Sequence, residues 1–427
     1  MESYAQILLV AAPVFLLLVL SEKLYGYLKF RHEFRVMDTI SSLSSGYTNV
    51  LKDVLGLSVT ILGYEWFYRH VAVFEIKSTF WVYVTAFIAL DFAGYWVHRL
   101  SHGINFLWNR HVIHHSSEEF NLACALRQSI SVFINIFSFF LIPAAILGVK
   151  PDVIAVVAPL HLFAQFWYHT IYIGKMGFLE KIIVTPSHHR VHHAINKEYI
   201  DKNHGQIFIF WDKWFGTFQE ELPDAPPVYG VTRPMSTWNP MKINFKHLAL
   251  LIQDAWRAES WRDKLRIWFM PTGWRPEGFE EKYPVKKIED PYNFEKYSTR
   301  FSVAGRVFIW VQFLFTLFML IWFFANIASF TPAGLLSYGL MVFATVYAYT
   351  DFMDKNRWFM VFEFLKNAFG LMVLLSTDLW QPVYAHYPIM QGVYIGYFVL
   401  SGMLSLVFYK TESLNYQGAV VTKGNPS

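Results

Sequence analysis

Residues 98–115, HRLSHGINFLWNRHVIHH, place five histidines within eighteen positions. His98 and His102 are four apart, as are His111 and His115, and His114 lies three after His111. Residues three and four apart share one face of a helix, so each segment offers a row of imidazoles to one side. A second run, HHRVHH, supplies His188, His189, His192 and His193, and His169 stands between the clusters in WYHT. Neutral imidazole is a ligand for iron, zinc, copper and nickel. One tetrahedral or octahedral ion cannot use so many, and two metals is the economical reading. The Glu-x-x-His pairs of soluble di-iron bundles and the HExxH of zinc proteases are both absent.

A lone histidine in a membrane helix is more often a hydrogen-bonded helix contact than a ligand. His161, alone within an apolar run, fits that description as well as a functional one. His32, His70, His247 and His386 read as loop or interfacial residues, and His188 and His204 as intermediate cases. Asp91 lies seven residues before His98, on the same helix face. A carboxylate in an apolar span needs a partner. Two roles stay open for it: orienting a ligand imidazole, or bonding a neighbouring helix. Asp212, in WDKWFGTF, is a similar candidate from the polar side.

The elements that must hold these residues are membrane helices. The 427 residues are 54% hydrophobic, 19% aromatic and 16% charged. That composition predicts an all-α polytopic membrane protein, with about nine spans near 4–24, 47–68, 78–97, 129–148, 152–173, 303–329, 334–351, 358–377 and 388–409. The first reads as a retained span, since it lacks a basic leader region and a clear cleavage site. Lys23, Lys29, Arg31 and Arg35 follow it, which assigns that loop to the cytoplasm. Counting nine spans forward then puts both histidine clusters and the polar segment 174–302 on the cytoplasmic side. The chain divides into N-terminal spans over 1–77, a chemistry-bearing region over 78–300 and four C-terminal spans over 301–427. A net charge of +4 suits anionic headgroups and gives no reason to expect nucleic acid. The single Cys124 excludes intrachain disulfides and Cys-ligated metal sites.

The stretches HHSSEEFNLACALRQS from His114, QFWYHT from Gln165, TPSHHRVHH from Thr185, IDKNHGQIFIFWDKWFGTF from Ile200 and VYGVTRP from Val228 carry a resemblance. Around HxxxH, HxxHH and HHxxHH they resemble the fatty acid hydroxylase and sterol desaturase superfamily, and within it the alkylglycerol monooxygenase family. The resemblance covers roughly 80–275. It implies a di-iron monooxygenase that uses O2 and two electrons on a membrane lipid, with tetrahydrobiopterin as the external electron donor. It implies His98, His102, His111, His114, His115, His169, His189, His192 and His193 as ligands, with His188 beside them. It also implies that Glu118, Asn121, Arg127 and Gln128 orient substrate or cofactor. Gly103 departs from the pattern, which leads one to expect a glutamate directly after HxxxH.

Iron is favoured over zinc only through the family's redox work. No haem, flavin or dinucleotide motif is present, so the electrons come from a separate donor. A sterol, sphingoid or fatty-acyl hydroxylase or desaturase is the nearest alternative. A histidine-rich metal transporter would string its ligands along spans near mid-bilayer, and a bis-histidine haem protein would face them in pairs inside the bilayer. Here the histidines gather at span ends.

Overall fold

The computed structural model describes residues 2–57, 63–131, 137–375 and 387–412. Among these the chain is helical, with no strands and two isolated β-bridges, Ile183 to Phe208 and Ala194 to Tyr229. It forms two compact units, each discontinuous in sequence. One comprises residues 1–57, 236–243 and 295–427; the other comprises 58–235 and 244–294.

The first unit contains α1 (Glu2–Phe30), α2 (Val36–Val54) and the helices Val303–Ala325, Pro332–Met353, Phe359–Leu375 and Pro388–Thr411. Val303–Ala325 packs on α1, α2 and Pro332–Met353, which in turn packs on Phe359–Leu375. Ser302 and Thr331 cap two of these helices, accepting from the backbone N–H of Gly305 and Gly334 at 3.0 Å. Inside the bundle, Lys366 Nζ donates to Glu363 Oε1 at 2.7 Å and to Ser401 Oγ at 2.9 Å. Gln312 Nε2 donates to the same serine at 2.6 Å, so three helices share one buried polar tie.

By length and composition, five helices among the described residues are able to cross a membrane: Ala5–Phe30, Phe80–Gly103, Val303–Ala325, Pro332–Met353 and Pro388–Thr411. The other four expected spans look different. In 47–68, α2 ends at Val54 and Gly56 turns the chain at φ +65°; helix α3 (Tyr64–Val71) follows, and 58–62 lie outside the described residues. In 129–148, 132–136 lie outside them and the rest forms the short helices Phe137–Phe140 and Ile142–Ile146. The helix in 152–173 is Pro151–Phe163, 13 residues long, and that in 358–377 is Phe359–Leu375, 17 residues long.

The second unit is built on α4 (Phe80–Gly103). Its residues Ala86, Leu90 and Ala93 bury one stripe against Leu141, Ala144, Val153 and Val157. Each fully buried aliphatic side chain of Val or Leu size contributes about 1.5–3 kcal/mol. A neighbouring stripe, Asp91, Gly94, His98 and His102, faces the 201–211 segment. At Gly94 the Gln206 side chain comes so close that a Cβ would sit 2.1 Å from its Oε1. Asp91, fully buried, accepts from the N–H of Ile207 (2.8 Å) and Phe208 (3.1 Å), the Trp211 indole (2.8 Å) and His161 Nε2 (2.8 Å). Both carboxylate oxygens are thus used to bind the segment and the Pro151–Phe163 helix to α4. Of the two roles open to Asp91, the structure gives it the bond to neighbouring elements; its imidazole partner, His161, is not among the converging histidines. Where α4 ends, Asn105 ties the chain down. Its Nδ2 donates to the carbonyls of Ile267 and Trp274, each at 3.0 Å, and its Oδ1 accepts from Gly273 N–H at 2.8 Å.

Asp91→Ala would leave two amides, an indole and His161 without their acceptor. Losing one side of such a buried charged network costs about 3–5 kcal/mol. The expected result is a clearly lowered thermal midpoint of the detergent-solubilised chain. An unchanged midpoint would mean that Asp91 does not anchor the segment.

Candidate metal centre

Four short elements bring the histidines together. The end of α4 carries His98 and His102. After α5 (Asn105–Trp108), His111 is the N-cap residue of α6 (Val112–His115), which holds His114 and His115. His169 follows the Pro151–Phe163 helix, and Pro186–His192 carries His189 and His192 with His193 as its C-cap. Pro186 occupies the first turn, where its missing N–H costs nothing.

The imidazoles converge as two groups: His98, His102, His111, His115 and His192, and His114, His169, His189 and His193. Within each, the ligand atoms lie within 4.8 Å of one another. Backbone carbonyls fix the tautomers. His98 Nδ1 donates to His204 O (2.8 Å), His114 Nδ1 to Arg127 O (3.2 Å), His169 Nδ1 to Gln165 O (3.1 Å) and His192 Nδ1 to Lys202 O (2.9 Å). A carbonyl only accepts, so the Nε2 of each of these four carries a lone pair. The Nε2 atoms of His114 and His169 nevertheless face each other at 3.4 Å, and His189 Nε2 stands 2.8 Å from that of His169. In the other group, His98 to His111 and His111 to His115 are 2.9 and 3.0 Å apart, Nε2 to Nε2. His192 Nε2 is buried with no hydrogen-bond partner. The lone pairs of His114 and His169, 3.4 Å apart, repel unless a cation lies between them, and the spacing within each group suits nitrogen ligands about 2.1 Å from a shared ion. The residues fit two metal ions.

Burial holds His111, His115, His189, His192 and His193 well below the ordinary imidazole range, and neighbouring histidines add to it. Burial takes His114 down to about 3. All are therefore neutral at pH 7, as metal ligation requires.

The loop supplying the Lys202 and His204 carbonyls is itself held. Asp212 accepts from the N–H of His204 and Gly205, both at 2.7 Å, and from Thr217 Oγ1 at 2.6 Å. A Cβ on Gly205 would lie 2.8 Å from Asp212 Oδ2, which leaves room only for glycine. Asp201 and Asn203 take left-handed conformations at φ +55°, and Asp201 Oδ1 lies 3.4 Å from His102 Nδ1.

The fatty acid hydroxylase family matches residues 83–217, a span that contains every histidine of both groups and the loop that orients them. Human (Homo sapiens) alkylglycerol monooxygenase is 34% identical over 370 residues, 85% of this chain and 81% of that protein. The chain belongs to the fatty acid hydroxylase family. The Danio rerio alkylglycerol monooxygenase is 38% identical over 62% of this chain and 59% of its own length. Ornithine lipid hydroxylase OlsE of Rhizobium tropici is 28% identical over 35% of this chain and 45% of its own length. No solved structure matches the chain. As a member of this family, it is an O2-dependent lipid monooxygenase.

A cavity of about 620 Å³ adjoins the centre. His102, His115, His192 and His193 form one wall, and Trp108, Val112, Ile195, Val231 and Met235 make much of it apolar. Arg233, Lys246 and Lys286 bring cations to it. His247, expected as an ordinary interfacial residue, is buried in its lining, with Nε2 donating to Asn105 O at 2.8 Å. None of Asp91, Glu118, Asn121 and Arg127 lines the cavity. Asn121 Oδ1 accepts from the N–H of Ala123 and Cys124, shaping the turn after α6. Arg127 is buried, bonds Ser116 Oγ at 2.8 Å and gives its carbonyl to His114. Glu118 lies beside Gly230. His188 stands outside both groups: its Nδ1 accepts from Thr185 N–H in a capping box, and its ring packs on Phe218. Gly103 is exposed, and a Cβ there would meet nothing within 4 Å.

Removing His189 and removing His188 should therefore differ. His189→Ala is expected to lower metal content by about one ion per chain, and His188→Ala to leave it unchanged, as measured by elemental analysis. Equal losses would place His188 in the ligand set. Acid should also strip the site. Unfolded imidazoles take protons below about 6.5, while folded His114 resists down to about 3. Stability of the metal-free protein thus falls as pH drops through that window, because the unfolded chain binds more protons. A thermal midpoint that rises on acidification would contradict the neutral, buried assignment.

Proposed function

We propose that the two histidine groups hold two iron ions and that the enzyme oxidises an alkyl chain at the carbon next to an ether oxygen, cleaving alkylglycerols. The observation that carries this is the pair of imidazole groups, free of carboxylate ligands, opening onto a largely apolar cavity. The 34–38% identity to alkylglycerol monooxygenases supports the substrate. When bound, the metal pair supplies O2 activation and accepts electrons. The protein's own part is to keep the imidazoles neutral and oriented through the carbonyls of Arg127, Lys202 and His204, and to exclude water with Trp108, Val231 and Met235. In the overall reaction one oxygen atom enters the C–H bond and the other leaves as water, consuming two electrons and two protons. The product is a hemiacetal, which breaks down to a fatty aldehyde and glycerol.

Residues 78–300 form the catalytic region on this reading, and Asp91, Glu118, Asn121 and Arg127 position the site without touching substrate. The electrons come from an external donor, for which tetrahydrobiopterin is our candidate. We place the site on the cytoplasmic side, where such a soluble reductant is at hand.

The test is turnover by the purified, iron-loaded chain. Alkylglycerol, O2 and reduced pterin are expected to give one aldehyde per pterin oxidised, and His111→Ala to abolish the product. An iron-loaded enzyme that leaves alkylglycerols intact but hydroxylates or desaturates a sterol, sphingoid or acyl lipid would replace ether cleavage with the reactions of its sterol desaturase and lipid hydroxylase relatives.

A further inference from the structure

Two consecutive helices of the histidine-bearing unit, the 244–257 part of Pro240–Arg257 and Trp261–Phe269, leave large apolar side chains uncovered. Trp256 is 86% exposed, Trp261 78%, Phe269 73%, Leu265 64% and Ile252 53%. The spacing is helical: Phe245, Ala249, Ile252 and Trp256 share one face of the first helix, and Trp261, Leu265 and Phe269 one face of the second. The opposite sides close on each other through Leu251, Ala258 and Ile267, so the exposed stripes are not core side chains turned the wrong way. Basic residues flank them: Arg257, Arg262, Lys264 and Arg266 against Glu259 and Asp263. The Arg257 guanidinium lies 4.3 Å from the Tyr283 ring centroid, and Lys264 Nζ donates to the carbonyls of Ala255 and Trp256, which keeps both cations beside the stripes. Tryptophan with arginine and lysine along an apolar face is the composition of a helix that lies in the headgroup layer. A second feature points the same way. Lys246, Ala249, Leu250 and Gln253 of the first helix line the cavity beside the histidines, and Lys246, Ala249 and Gln253 are also exposed.

We infer that these two helices seat on a phospholipid surface, with lipid phosphates meeting Arg257 and Arg262, and that the cavity takes its substrate laterally from that layer. The seat forms one side of the cavity mouth, so a lipid shifts along the first helix from bilayer to histidines without passing through water. Only the route rests on the lipid-oxidation reading; the seating does not.

The experiment uses the full chain in nanodiscs of mixed neutral and anionic phospholipid, with Trp256→Cys, Trp261→Cys or Leu265→Cys carrying a fluorescent label. Native Cys124 is buried and leaves the label to the new site. Exposed Lys197→Cys is the comparison position. Brominated lipid is expected to quench the three helix probes several-fold more than the Lys197 probe, and aqueous acrylamide to quench them several-fold less. Strong acrylamide quenching with no effect of brominated lipid would make this face a solvent face and overturn the inference. Protection from both quenchers would mean that protein, such as a second copy, covers it, and would overturn the inference equally. None of these readings depends on turnover, so a failed seat and a failed monooxygenase assignment are separable.

Discussion

Nine converging imidazoles, four of them with a lone pair turned inward, make an arrangement that the protein alone cannot hold cheaply. In this dry, buried interior the Nε2 lone pairs of His114 and His169 face each other at 3.4 Å. A cation between them would turn their repulsion into ligation. The same dryness that makes the imidazoles poor proton acceptors makes them good ligands. Metal bound there would couple to folding of the histidine-bearing unit, and the rest of that unit serves to aim the nitrogens.

The aiming is done mainly by backbone. Four of the nine imidazoles have their tautomer set by a carbonyl, and two of those carbonyls belong to the 201–205 loop. A loop with two left-handed residues would be a poor reference frame by itself. Asp212 stiffens it by holding consecutive amides, and Asp91 locks the next turn of chain to α4. Two buried carboxylates thus tie the loop to a membrane helix without either entering the metal environment. A carbonyl leaves the imidazole neutral, where a carboxylate partner would add negative charge to the site.

Much of this was legible in the sequence because helix periodicity converts spacing into direction. HxxxH at the end of α4 and HxxHH on α6 put their side chains where a 3.6-residue turn requires. HHxxHH was harder, since His188 and His192 share a helical face just as His189 and His193 do. Capping sets His188 alone apart: Thr185 starts the helix, and His188 at its third position turns back to accept the Thr185 amide. His247 reads from the sequence as an ordinary interfacial histidine, alone and outside both clusters. Its burial depends on Asn105, more than a hundred residues away, and no local pattern carries that. The count of membrane spans was legible only where helices run unbroken. Apolar residues dominate 47–68, despite Lys52 and Asp53, and 129–148, yet Gly56 at a left-handed φ and Pro143 divide those stretches. The division into compact units was hidden for a similar reason, since residues 1–57 and 295–427 belong together across the histidine-bearing unit.

The most direct test of the central claim is the iron X-ray absorption spectrum of the unmodified, full-length protein, with metal stoichiometry measured on the same sample. Two irons per chain are expected, with a first shell dominated by imidazole nitrogen at about 2.1 Å and the outer-ring scattering of several histidines. One metal per chain, or a first shell dominated by carboxylate oxygen, would contradict a centre built from two converging groups of histidines.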